Sequence, residues 1–174
     1  MSPPGRPKGE YRSAQHEGTP VKPRLSLKGR GLQILALREH SRSELRRKLL
    51  THARADAAEE ANPAEEVEAV LDWLQAQRYL CEERFVESRV HARASRFGNV
   101  RIRRELSQHG VALTADAARQ LKDSELARAR EVWSRKFGQP AADAAERARQ
   151  MRFLAGRGFS TEVIRRVVQG ADEE

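Results

Sequence analysis

The sequence predicts an all-α protein: three tandem three-helix repeats forming an elongated, curved helical array. Three observations carry that expectation. Of the 174 residues, 33% are charged, and Ala, Leu, Glu and Arg dominate, which favours helix over strand. Hydrophobic residues make up 39% and aromatics only 5%, so several thin cores are better supplied than one thick one. Apolar side chains recur at helical spacing between caps and glycines, and the pattern restarts with a period of about 50 residues, as in repeat architectures. No run of alternating β-branched residues marks a sheet.

Residues 1–29 read as a disordered basic arm. Five prolines and four glycines lie there with few large apolar side chains, too few to offset the entropy of ordering. Arg6, Lys8, Arg12, Lys22, Arg24 and Lys28 outnumber Glu10 and Glu17. The first repeat spans 30–80. Leu32, Leu35 and Ala36 begin an apolar stripe, and Ser41 with Glu44 makes a capping box before Leu45 and Leu49. An acidic stretch with Asp56, Glu59 and Glu60 follows. Asn62-Pro63-Ala64-Glu65 then supplies an N-cap, a proline at N1 and a glutamate at N3, ahead of Val67, Val70, Leu71 and Leu74.

The second repeat spans 81–122. Val86, Val90, Ala94 and Phe97 form its first stripe, stopped by Gly98. Asn99 is expected to cap a helix that turns Ile102 and Leu106 inward and stops at Gly110. Thr114 caps a short helix through Ala117, Ala118 and Leu121. The third repeat spans 123–170. Leu126, Ala129, Trp133 and Phe137 share one face, then Ala144, Ala148, Met151 and Leu154 share the next, stopped by Gly158. Ser160 is expected to cap a last helix carrying Val163, Ile164 and Val167, before an acidic tail at 171–174. Leu45-Arg46-Arg47-Lys48-Leu49 matches Ile102-Arg103-Arg104-Glu105-Leu106, and the ending His109-Gly110-Val111 matches Arg157-Gly158-Phe159. Each unit is too small to stand alone, so neighbours must share surface.

The chemistry-bearing residue types form no constellation. The five histidines, His16, His40, His52, His91 and His109, have no partner at ligand spacing and read as surface or helix-end residues. Cys81, the single cysteine, reads as a small hydrophobe at a helix junction and excludes an intramolecular disulfide. Phosphate-loop, dinucleotide and nucleophile-elbow motifs are absent. No catalytic residue, metal or cofactor is expected. No apolar run nears the roughly 18 residues that span a membrane, and no signal peptide is read at the N-terminus. The chain is therefore expected to be a cytoplasmic monomer without a membrane partner.

Binding remains. The net charge of +8 suits a polyanion or an acidic protein surface. Arg89, Arg93 and Arg96 fall at i, i+4, i+7 of one helix, and Arg101, Arg103 and Arg104 follow across a tight turn, so the six are expected to share a face that Glu87 and Glu105 only partly neutralise. Arg46, Arg47 and Lys48 in the first repeat, and Arg165 and Arg166 in the last, extend the spot toward a stripe. Trp73, off its main stripe, is expected to pack on a neighbouring repeat or to touch a partner.

Tyr79-Leu80-Cys81-Glu82-Glu83-Arg84-Phe85-Val86, then Arg101-Ile102-Arg103-Arg104-Glu105-Leu106 with His109-Gly110-Val111, and finally Phe153-Leu154-Ala155-Gly156-Arg157-Gly158-Phe159-Ser160, resemble the RecX family over roughly residues 30–170. The resemblance implies a modulator that lodges on the RecA–DNA filament and inhibits the recombinase, ATPase and coprotease activities of RecA, and so recombination and the SOS response. The eleven basic residues named above would then meet the RecA filament, with single- or double-stranded DNA a secondary partner. An alternative is an autonomous helical DNA-binding protein. The family commonly has an acidic residue where Cys81 stands.

Overall fold

A computed structural model of the chain describes residues 25–56 and 62–170. Among these, helices and turns occur and no strand. The order is α1 (Leu27–Leu37), α2 (Arg42–Asp56), α3 (Pro63–Ala76), α4 (Glu82–Ala94), α5 (Asn99–Gln108), α6 (Ala115–Asp123), α7 (Glu125–Lys136), α8 (Ala144–Gly156) and α9 (Thr161–Gln169). The arm up to residue 24, the acidic stretch at 57–61 and the acidic tail at 171–174 lie outside the described residues.

Helix α1 begins at Leu27, inside the stretch read as arm. The Ser26 hydroxyl accepts the Gly29 N–H at 3.1 Å and caps it. Two glycines lower its helix propensity, but Gly31 is buried against Leu74, so tertiary packing overrides the local preference. Leu27, Leu32, Ile34 and Leu35 pack inward, while Ala36 is exposed.

Asn62 caps α3 by accepting the Glu65 N–H, with Pro63 at the first helical position. Thr114 caps α6 in the same way through Ala117. The Ser41–Glu44 box is only half formed. The Ser41 hydroxyl accepts the Glu44 N–H at 3.2 Å, but the Glu44 carboxylate turns to Arg38 instead of the cap backbone. The helix ends at Gly110 and Gly158 are Schellman turns. Each glycine has positive φ (72° and 79°), and the next N–H returns to Leu106 or Leu154 at 3.1 or 3.2 Å. The residue after each glycine, Val111 or Phe159, is buried.

Three separate apolar clusters result. Leu45, Leu49, Val67, Leu71 and Leu74 centre the first, between α1, α2 and α3. Phe85, Val86, Ile102, Leu106, Val111 and Leu121 form the second, among α4, α5 and α6. Ala129, Val132, Leu154, Phe159, Ile164 and Val167 are prominent in the third, among α7, α8 and α9. Leu45/Leu49 and Ile102/Leu106 are both fully inward, as their matched sequences require. Trp73 stays within the first unit: it packs on that unit's cluster, 5.9 Å from the Tyr79 ring, with Lys28 Nζ 4.8 Å from its centroid.

The second and third units meet backbone to backbone. Gly98 N–H donates to Arg157 O and Val100 N–H to Gly158 O, both at 3.0 Å. Gly98 is thus no helix stop. It has extended φ and ψ of −80° and 170°, precedes α5 as its cap, and lies so close to Gly158 and Phe159 that a Cβ would overlap their backbones. Asn99, expected as the cap, is the first helical residue and is buried.

Candidate partner-binding surface

The first turn of α7 fixes what surrounds that joint. Glu125 is 3% exposed. Its Oε1 accepts the Asn99 N–H at 2.9 Å and the Ser160 N–H at 3.2 Å, and its Oε2 accepts the Ser160 hydroxyl at 3.1 Å. One carboxylate therefore caps the N-termini of both α5 and α9, where backbone N–H groups lack helical partners. The Ser160 hydroxyl goes to Glu125 and not, as expected, to its own helix. Arg128, one turn on, donates to Ala94 O at 2.9 Å, Phe97 O at 2.8 Å, Leu121 O at 3.0 Å and Asn99 Oδ1 at 2.6 Å. It closes carbonyls at the ends of α4 and α6. Neither residue was singled out from the sequence. The available signal is that Glu125, Ala129 and Val132 fall at i, i+4, i+7, which places a carboxylate on the apolar face.

Three of the six middle arginines gather on this scaffold. Arg93, Arg96 and Arg101 surround one half-buried ring, with guanidinium carbons 5.7, 5.7 and 4.1 Å from the Phe97 centroid. Glu105 Oε2 lies 2.9 Å from Arg93 Nε, and Glu105 Oε1 accepts from Arg101 at 3.4 Å. Arg89 sits apart, 5.5 Å from the Phe85 ring, with Nη2 3.4 Å from His109 Nε2. Arg103 and Arg104 are exposed and make no ion pair among the described residues. Arg104 lines a cleft of about 370 Å3 with Arg101, Val100, Gln108 and Gly158, between α5 and the end of α8. Glu105 partners two arginines; Glu87, the other expected partner, pairs with none of them.

The first-unit cations fare differently. Arg46 pairs with Glu68. Arg42, not anticipated, donates to Glu68 Oε2 and Asp72 Oδ1, both at 2.7 Å, and to Gln75. Hydrogen bonds from Arg46 and Arg42 hold the Glu68 carboxyl below the usual carboxylate range. Arg47 and Lys48 are exposed, as are Arg165 and Arg166 on α9.

Of the surface or helix-end reading of His40 only the second half holds: it lies just ahead of α2 and is 2% exposed. Its Nδ1 contacts Arg38 O at 2.8 Å, and its Nε2, 4.0 Å from Glu44, has no hydrogen-bond partner. Desolvation lowers its pKa, with the Arg38 charge adding to that, against the Arg38 carbonyl and Glu44, which raise it. Cys81 is half-buried at the cap position of α4, and its Sγ lies 3.1 Å from Glu83 Oε2. No described helix is long and apolar enough to cross a membrane, and no cluster of metal-ligating side chains occurs among the described residues.

Successive three-helix units with exposed cations on the middle unit define an all-helical repeat protein. Models for the second and third three-helix domains of RecX match residues 82–114 and 123–168. Regulatory protein RecX of Leptothrix cholodnii is 56% identical over 155 residues, 88% of this chain and 94% of that protein. The counterpart in Ralstonia nicotianae is 51% identical over 150 residues, covering 85% and 89%. The crystal structure of RecX from Lactobacillus salivarius aligns with a TM-score of 0.65 at 16% identity, over 85% of this chain and 96% of that one. The chain belongs to the RecX family of regulatory proteins.

Proposed function

We propose that the chain binds the RecA–DNA filament in the cytoplasm and inhibits the recombinase, ATPase and coprotease activities of RecA, restraining recombination, DNA repair by strand exchange, and the SOS response. The carrying observation is that Arg103 and Arg104 on α5 have no acid partner among the described residues, while Glu105 takes up Arg93 and Arg101. Arg103 and Arg104 present free guanidinium forks beside Arg101, on a backbone that Glu125 and Arg128 hold in place. Guanidinium forks suit carboxylates or phosphates because their planar donors match both oxygens of such a group. Arg89 and Arg93 contribute positive potential, although each already contacts a partner within the chain. Arg47, Lys48, Arg165 and Arg166 extend the surface.

The test is a titration of RecA ATP hydrolysis on single-stranded DNA, on preformed and on nascent filaments. Hydrolysis is expected to fall. Unchanged hydrolysis at stoichiometric excess refutes the proposal, and a fall only on nascent filaments would restrict it to blocked assembly. Charge reversal of Arg103 and Arg104 is expected to weaken the effect about tenfold or more with helicity intact, two lost charge-assisted contacts being worth roughly 3 kcal/mol or less at a solvated interface.

A further inference from the structure

The first unit ends in an aromatic pair that its own packing leaves partly uncovered. Trp73 is half-buried, and its ring centroid lies 5.9 Å from that of Tyr79 at an interplanar angle of 33°. Tyr79 itself is 50% exposed, one of few large apolar side chains to be so among the described residues. The turn that presents it is held from several sides. Arg78 takes a left-handed φ of 59°, a region that non-glycine residues seldom occupy. The Tyr79 and Leu80 N–H groups both return to Leu74 O, at 2.9 and 3.1 Å. Arg84 Nη2 donates to the Arg78 and Tyr79 carbonyls, both at 3.0 Å. The backbone beneath the outward ring is therefore fixed.

The N-terminal arm joins the helices beside this pair. Lys28, in the first turn of α1, places its ammonium 4.8 Å from the Trp73 centroid. Lys28 is exposed, so its ammonium can leave the ring without giving up a buried contact. Residues 1–24 connect to α1 through Leu25, and their last stretch reads Thr19-Pro20-Val21-Lys22-Pro23-Arg24. Prolines three apart share one edge of a polyproline II helix, which has three residues per turn and a rise of about 3.1 Å. Such an edge packs on exposed aromatic rings and loses little conformational entropy in doing so. Pro23 stands two residues before Leu25, about 7 Å of chain, which keeps it close to the rings. A tether this short gives an effective concentration on the order of millimolar, so a contact that would be weak between separate molecules is well occupied. Pro4 and Pro7 repeat the spacing, but the longer chain between them and α1 dilutes them.

We propose that the Pro20–Pro23 segment of this chain docks on its own Trp73–Tyr79 pair and straps the arm to the first unit. The more distal cations of the arm, Arg6, Lys8 and Arg12, then extend from a fixed point on that unit. The proposal joins two features that the filament reading leaves aside, the arm and Trp73, and each can fail alone.

The test is nuclear magnetic resonance of the full isotope-labelled chain, which has two indole N–H groups, Trp73 and Trp133. Trp133 donates to Gln150 at 2.8 Å in the third unit and serves as the internal control. Nuclear Overhauser contacts are expected between the Trp73 or Tyr79 ring and the ring of Pro20 or Pro23. Pro20→Ala/Pro23→Ala is expected to abolish them and to move the Trp73 indole peak while the Trp133 peak stays. Tyr79→Ala should abolish them too; if it unfolds the first unit, the proline variant decides. Pro4→Ala/Pro7→Ala should change neither the contacts nor the peak. Absence of the contacts in the unaltered chain overturns the proposal, as do equal effects of the two proline pairs. Contacts that form between labelled and unlabelled copies in a mixed sample would assign the segment to a second copy, and likewise overturn the strap.

Discussion

Between the first and second units the polar contacts lie at the surface. Ser43 Oγ donates to His109 O at 2.6 Å, and Arg84 reaches Glu39 at 2.7 Å and the carbonyls of Arg78 and Tyr79 at 3.0 Å. Between the second and third units two backbone bonds, a buried carboxylate and a half-buried arginine close four helix ends. Exposed ion pairs contribute about 0–1 kcal/mol, whereas orphaning a buried charged group costs about 3–5 kcal/mol. The same three-helix unit is thus joined loosely on one side and tightly on the other. The tight joint is where the basic cleft lies, so rigidity and charge coincide.

The cations teach the same lesson. Helices α2 and α5 carry similar patterns, yet Glu68 on α3 neutralises Arg46, while its counterpart Arg103 on α5 meets no acid; Arg47 and Arg104 are exposed in both copies. Whether a given cation of the motif is neutralised depends on the acids of the neighbouring helix.

The sharpest way to break the contrast between the joints is Glu125→Ala set against Glu39→Ala. The first leaves three donors without an acceptor and is expected to lose about 3–5 kcal/mol in urea unfolding, the second about 0–1 kcal/mol. Equal losses would mean that the joints are alike. Next in size is Gly98→Ala, expected to lose about 1–3 kcal/mol because the new methyl forces the third unit away. Gly110→Ala, with only Ser43 Oγ nearby at 3.8 Å, should lose about 1 kcal/mol, from its positive φ alone. Smaller again is Glu68→Gln, which releases Arg46 from its ion pair and leaves Arg42 to Asp72 and Gln75. It should tighten binding to a polyanion within about fivefold, the equivalent of one exposed pair, with circular dichroism unchanged.

The smallest effect is a pH dependence at the loose joint. His40 has a folded pKa below its ordinary value of 6.5, so the unfolded chain binds more protons in that window. Stability should therefore decline as pH falls from about 6.5 through the folded pKa, and His40→Gln should flatten the decline. Glu44, His109, Arg38 and Lys48 act on the same region. Burial would raise the Glu44 carboxyl, but Arg38 overrides it and holds it below 4.5, so its contribution is lost only at lower pH, through that depressed value. A decline that survives His40→Gln between pH 6.5 and 5 would place the proton elsewhere.

Much of the fold was legible in the chain, because apolar spacing, caps and glycine stops act within a few residues of one another. The inward pairs Leu45/Leu49 and Ile102/Leu106, the Asn62-Pro63 and Thr114 helix starts, and the Gly110 and Gly158 turns all follow from local geometry. The candidate surface was legible in part: Arg103 and Arg104 are exposed as expected, whereas Arg93 and Arg101 share Glu105. Residues that serve a distant element were legible only in part. Gly98 read as a stop and is a close contact with Gly158; Asn99 read as a cap and is the first residue of α5, held by Glu125; Ser160 stands at the cap of α9 as read, but its hydroxyl goes to Glu125; His40, read as a surface or helix-end residue, lies just ahead of α2 and is buried. The helices, their inward faces and the excess of positive charge follow from the order of the residues alone. Only the tertiary structure decided which cations are neutralised and how firmly each unit holds the next, because those outcomes depend on groups 26 to 35 residues apart meeting across helices, as Arg42–Glu68, Asn99–Glu125 and Glu125–Ser160 do.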